Sequence, residues 1–201
     1  MLYNSIELKF HGGHNMRYAK GIFITFAIFF CYGALHAQAA EEIWAVKAIS
    51  PEGQTLDVKA IDKDGTKIDV KAIETDGNTW LMDVKAMKDG KKLPVKIVVS
   101  DEKHMPVVAI DEGGEVMKVV ALASGGEQIE IKGVKQYGSI IQIKAVTADG
   151  KQYGIKAIST DSDVHDVKGV KMLAPGEKPE MEIDGVEVYA HVKGFPHSEL
   201  D

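Results

Sequence analysis

Acidic turns are the first residues in this chain whose type and spacing could do chemistry. They stand at Asp62-Lys63-Asp64-Gly65, Thr75-Asp76-Gly77, Lys88-Asp89-Gly90, Ala148-Asp149-Gly150 and Thr160-Asp161-Ser162-Asp163. Clustered carboxylates suggest calcium. An EF-hand loop, however, needs spaced Asp or Asn ligands, a glycine, and a glutamate six residues after that glycine. None of these segments supplies that set. Asp-Gly is also what a hairpin turn selects, because both residues tolerate left-handed backbone. The acids therefore read as turn residues, with Asp161 and Asp163 the nearest to a ligand pair.

Four histidines, His104, His165, His191 and His197, follow residue 39. Zinc needs three or four ligands that converge, and no spacing here resembles such a site. His165 alone falls on an inward-facing position, opposite Ala157. No serine sits in a G-x-S-x-G elbow, and no phosphate loop or dinucleotide fingerprint is present. The many carboxylates match lysines on facing strands, which leaves no isolated acid/base couple. The expectation is a non-enzymatic protein with no metal and no cofactor. Exposed aromatics can bind proteins or glycans. Trp44, Trp80 and Tyr137 are the expected interaction residues. Trp80 lies in an unusually long interval, and Tyr137 stands where a turn aspartate is usual.

What must position these residues is a repeat. Aligned on one aliphatic position, the chain gives Val46, Val58, Val70, Val84, Val95, Val107, Val119, Ile131, Ile143, Ile155 and Val167. The interval is 12 residues except for 14 before Val84 and 11 before Val95. Each copy reads as one strand and one turn. In Lys67–Glu74 the residues Ile68, Val70 and Ala72 alternate with Asp69 and Lys71, the period of a half-buried strand. No sustained helical period follows the leader. If Asp62–Gly65 is a type I turn with Gly65 left-handed, Ala60 faces Ile68, Lys59 faces Asp69, Val58 faces Val70 and Asp57 faces Lys71. The short interval keeps its register if Asp89-Gly90 closes as a two-residue type I′ turn, with Lys88 facing Lys91, Ala86 facing Leu93 and Val84 facing Val95. The same count sets Val107 against Val119, Ala109 against Met117, Ile143 against Ile155 and Lys156 against Asp166.

The predicted fold is therefore all-β, an antiparallel up-and-down meander of about 11–12 strands, closed as a barrel or folded as a sandwich. A β-solenoid is the alternative. It would stack Lys47, Lys59, Lys71 and Lys85 in one ladder at about 4.8 Å spacing, which like charges oppose. A barrel of this width, lined by Val, Ala and Gly, would be hollow. Ile183–Val186 reads as a further hairpin, and Val186–Gly194 is expected to pair with the first strand near Trp44–Ile49. Apolar residues flank the turns on the outer face: Ile61, Ile73, Ile110, Leu122, Val146 and Ile158. They form a potential contact rim.

Residues 1–39 read as an upstream extension and a secretory signal peptide. Met16 opens a basic stretch with Arg17 and Lys20, Gly21–Leu35 is apolar, and small residues follow. The run is short for a spanning helix. Cleavage is expected after Ala39, or after Ala37. Three positive residues and one negative residue leave with that segment, so the net charge moves from −6 to −8. An acidic protein is a poor partner for nucleic acid, and membrane contact is expected only through an uncleaved leader. The chain after residue 39 has no cysteine, so no disulfide supports it outside the cytoplasm. The β-repeat domain spans 40–173, with a C-terminal hairpin and tail at 174–201 in the same domain.

The leader and the tandem Val-Lys-Ala-Ile units with Asp-Gly turns resemble the uncharacterised exported β-repeat proteins of Gram-negative bacteria, over residues 16 to about 173. The resemblance implies export and an all-β fold, and it implies no activity. The functional expectation is a structural or macromolecule-binding protein, periplasmic, cell-surface or secreted, with an unidentified protein or glycan partner. The alternative is a carrier holding a small apolar ligand inside a β-barrel.

Overall fold

Strand periodicity in the sequence becomes, among the described residues, thirteen antiparallel strands in one sheet. The computed structural model describes residues 41–75, 77–100, 105–171 and 182–196, within one compact unit, 39–201. The expected leader, both cleavage positions, Asp76, His104 and His197 lie outside the described residues. The strands are β1 (Ile43–Ile49), β2 (Thr55–Ile61), β3 (Lys67–Thr75), β4 (Asn78–Lys88), β5 (Lys91–Val98), β6 (Met105–Ile110) and β7 (Val116–Leu122). They continue with β8 (Gln128–Tyr137), β9 (Ile140–Val146), β10 (Gln152–Ile158), β11 (Val164–Val170), β12 (Glu182–Ile183) and β13 (Val186–Pro196).

Register near the turns follows the sequence reading. Lys59 pairs with Asp69 and Ala60 with Ile68. Ala86 pairs with Leu93 and Lys88 with Lys91. Ala109 pairs with Met117, and Lys156 with Asp166. Gly65 has φ +85°, and Asp89 and Gly90 have φ +50° and +77°, as the two turn types require.

Further from the turns the strands part company. Val58 does not face Val70; Asp57 pairs with Lys47 of β1, and Lys71 pairs with Ala45. The expected pairs Val84–Val95, Val107–Val119 and Ile143–Ile155 fail in the same way, because each strand changes partner at that residue. The result is four three-strand junctions, in each of which every strand pairs with both others. They are β1-β2-β3, β4-β5-β13, β6-β7-β8 and β9-β10-β11. The aliphatic residue on which the repeat was aligned marks each point of exchange. A twelfth, Val192, comes from the C-terminal segment that the sequence reading set outside the period.

The free edge of each junction strand pairs with a strand of another junction. β1 pairs with β10, β2 with β7, β3 with β4, β5 with β6, β8 with β9 and β11 with β13. Each junction is thus joined once to each of the other three. This closure is neither the single ring of a barrel nor two stacked layers. It also corrects the expected seam: β13 pairs with β11, β4 and β5, and β1 with β10. Lys193 of β13 meets Asp83, a partner that β1 cannot offer it.

Inside, Val, Ile, Leu and Ala from every junction form one buried cluster. Full burial of a side chain of that size contributes roughly 1.5–3 kcal/mol. The space a hollow barrel would leave is taken up by large residues facing small ones. Ile97 and Ile141 reach Gly169, and Ile141 and Met105 reach Gly133. A second cluster, Val98, Val108, Ile110 and Val188 with Ile183 and Val186, lies on the outer face. A bulge between Val188 and Ala190 redirects β13, so that Val188 pairs with Val98 while Ala190 pairs with Ile97. Hairpin β12–β13 thereby covers part of the apolar outer face and buries Ile110 of the expected rim; Ile73 of that rim is also buried, on β3 between β1 and β4.

Candidate functional site

Between junctions the sheet leaves rings of strand ends. One ring is bounded by β1, β3, β4, β13, β11 and β10. It is joined by the pairs Ala45–Lys71, Ile73–Asp83, Met82–Gly194, Gly194–Val167, His165–Ala157 and Ala157–Val46. Its floor is an aromatic pair. Trp44, 4 % exposed, stacks on His165 with ring centroids 4.3 Å apart and planes at 57°. The Trp44 indole N–H donates to Glu42 Oε1 at 2.6 Å. His165 is 7 % exposed, and its Nδ1 has no hydrogen-bond partner among the described residues. Burial pushes the His165 pKa down, against the upward pull of Asp163, Asp166 and Glu42, so the ring is neutral at pH 7.

The rim of this ring carries Trp80, 74 % exposed, with Ile43 and Val164 also exposed. The long interval before Val84 explains the tryptophan. Two extra residues shift the register between Ile73 and Thr75, and β4 runs on past Met82, its last pair with β13. The Trp80 amide is held by Asn78 Oδ1 at 3.2 Å, so the projecting strand end has a fixed start.

The three expected interaction aromatics lie at different places in the fold. Trp44 is in the floor, where its indole faces His165 and not solvent. Its parity with Val46, two residues on, was the available signal for burial. Tyr137 is half exposed at the far end of β8, under Lys135 with Nζ 4.5 Å from the ring centroid. Close by in sequence, Gln136 Oε1 accepts from the Tyr189 hydroxyl at 2.8 Å, and Lys171 lies over the Tyr189 ring at 4.3 Å.

Acidic turns behave as turns. Asp64 Oδ1 accepts from the Thr66 amide at 2.8 Å, and Asp111 Oδ1 accepts from Gly113 and Glu115, both at 2.9 Å. The Ser159 hydroxyl accepts from the Asp161 and Asp163 amides at 3.2 and 2.9 Å, so a serine holds this turn. Among the described residues no group of three or more His, Cys, Asp or Glu is placed to hold a metal ion. His191 contacts Lys96 Nζ through Nδ1 at 2.5 Å.

Comparison with known proteins adds a family. The chain belongs to a family of unknown function, DUF7486, which matches residues 40–195. That span opens just before β1 and ends inside β13, so it coincides with the closed sheet. No curated protein and no solved structure matches the chain.

Proposed function

We propose that this is an exported, non-enzymatic β-repeat protein of the Gram-negative cell envelope, which binds a protein or glycan partner through the ring rimmed by Trp80. The exposure of Trp80 carries the reading. A large indole costs free energy in water, and here it stands on a strand end fixed to a closed sheet, with exposed Ile43 and Val164 on strands of the same ring. Each of the twelve long strands has neighbours on both edges. A partner adding a strand to an open edge is therefore disfavoured, and recognition falls to side chains at the rings. The basic, apolar and small-residue order of residues 16–39 supports export.

Two measurements test the two halves. N-terminal sequencing of the protein recovered outside the cytoplasm should begin at Ala40; a chain recovered only in the cytoplasm with its leader intact sinks the export half. Capture from an envelope fraction should yield a partner with the wild type and lose it with Trp80→Ala, while the thermal midpoint stays unchanged. Retention of that partner by the variant would remove Trp80 from the interface.

A further inference from the structure

The lysines of the repeated Val-Lys unit gather where three strands exchange partners, on the outer face. Their neutralisation follows a rule. A lysine on one strand meets the aspartate that precedes the lysine on the next. Lys47 pairs with Asp57, Lys59 with Asp69 and Lys156 with Asp166. At the β4-β5-β13 junction Lys193 and Lys85 share Asp83, and Lys96 meets His191.

The rule lapses at Lys71, which faces Ala45, and at Lys85, which faces Pro94, and it lapses again in the β9-β10-β11 junction. Its three lysines are Lys144, Lys156 and Lys168, and the residues preceding them are Gln142, Gly154 and Asp166. Lys156 and Lys168 share Asp166, which is buried, the second contact being 3.5 Å. Lys144 should meet residue 154, and that residue is glycine. A Cβ there would lie 3.8 Å from Lys144 Nζ and 3.8 Å from Lys156 Cε, so the space of the missing carboxylate lies between two lysines. Lys144 has no hydrogen bond or ion pair among the described residues. Lys144, Lys156, Lys168 and Asp166 line, with Gln142 and Gly154, a cavity of about 40 Å³. A volume of that size holds about three water-sized atoms.

We infer that this junction is a binding site for a tetrahedral oxyanion of the phosphate or sulfate class, which takes the place of the carboxylate absent at Gly154. The oxygens of such an anion suit ammonium donors lining the cavity, and charge-assisted hydrogen bonds of this kind are the stronger ones. The anion leaves its fourth position at the open mouth, so either free phosphate or the phosphoryl end of a larger molecule fits. On a chain of net charge −6 this is a local reversal of sign, which makes the attraction short-ranged and sensitive to salt.

Gly154→Asp tests the site by supplying the missing group. Its φ is not left-handed and its contacts are ordinary, so the variant should fold. Sodium phosphate and glycerol phosphate are titrated side by side into the purified full chain at fixed ionic strength, with isothermal calorimetry as the readout. Saturable one-to-one binding of either, weakened at least about tenfold by Gly154→Asp and by Lys144→Gln but not by Lys47→Gln, is the expected result. Binding of glycerol phosphate as tight as phosphate assigns a phosphoryl terminus; binding of phosphate alone assigns a free anion. No saturable binding of either, or binding indifferent to Gly154→Asp in a variant with an unchanged melting curve, overturns the inference.

Discussion

A methyl group added at Gly169 tests the packing that fills this closed sheet. Gly169 occupies the position where most strands carry a fully buried alanine, as at Ala48, Ala60 and Ala72. Ile97 occupies the equivalent place on β5 and uses the room that glycine leaves. In Gly169→Ala the new Cβ would fall inside van der Waals contact of Ile97 Cδ1 and 3.0 Å from Ile141 Cβ. Overpacking of this kind costs about 1–3 kcal/mol, and the fully buried Ile97 and Ile141 have nowhere to retreat. Ile97→Val deletes the clashing methyl and costs about 0.5–1.5 kcal/mol by itself. The double variant should be more stable than the sum of the two losses predicts, by about 1 kcal/mol or more. Urea unfolding followed by circular dichroism measures all three, with an unchanged slope showing that the same transition is compared. Additivity within about 0.5 kcal/mol would refute the pairing of Ile97 with Gly169 and with it the account of a filled interior.

Other consequences can be checked in parallel. Gly114→Ala adds a left-handed strain at φ +76° and drives a methyl onto the Asp184 carbonyl oxygen, so hairpin β12–β13 should lift. Hydrogen exchange should then accelerate at the Val99 amide, which donates to Glu187, while the amides of β1, β2 and β3 stay protected. Stability should also fall as pH drops through about 6.5. The unfolded chain takes up a proton on His165 there, and the folded chain, whose His165 pKa burial lowers, does not. His165→Phe should flatten that part of the profile in thermal melts; an identical profile would remove His165 as the cause. A second loss should begin as pH falls through the ordinary carboxylate range and continue below it, because lysine hydrogen bonds hold Asp57, Asp69 and Glu130 below that range, and Lys193 and Lys85 hold Asp83 there against burial.

Much of this architecture was legible because strand chemistry is local. Alternation, Asp-Gly turns and the facing of Lys59 with Asp69 all depend on residues a few positions apart. The junctions were not legible, and the reason lies in the repeat itself. Asp57 is offered a lysine by Lys71 on one side and by Lys47 on the other, and near-identical copies make the two choices look alike. Counting register from a turn assumes that two strands stay together, whereas here each strand leaves its neighbour at the repeated aliphatic residue. The twelfth copy, Val192-Lys193-Gly194, was missed because the proline-containing segment before it breaks the count. At the site, Trp80 was visible as an outlier in spacing. The gap at Gly154 becomes meaningful only once Lys144 is known to face it.

The pairing scheme also constrains how such a gene can change length. An open array of repeats grows or shrinks by one unit, because each unit needs only the one before it. Here every strand but β12 sits in a threefold junction and in one link to another junction, so the seats are counted. One more twelve-residue copy would have no junction to join, and one fewer would leave three strands each without one of their partners. Unequal recombination between near-identical copies is the easiest accident for a repetitive gene, and this closure selects against its products. The near-constant interval and the two compensated exceptions, at Trp80 and at Asp89-Gly90, are the variation that such a lock permits: residues may enter or leave a turn or a strand end, but not the stretch between a strand's partners.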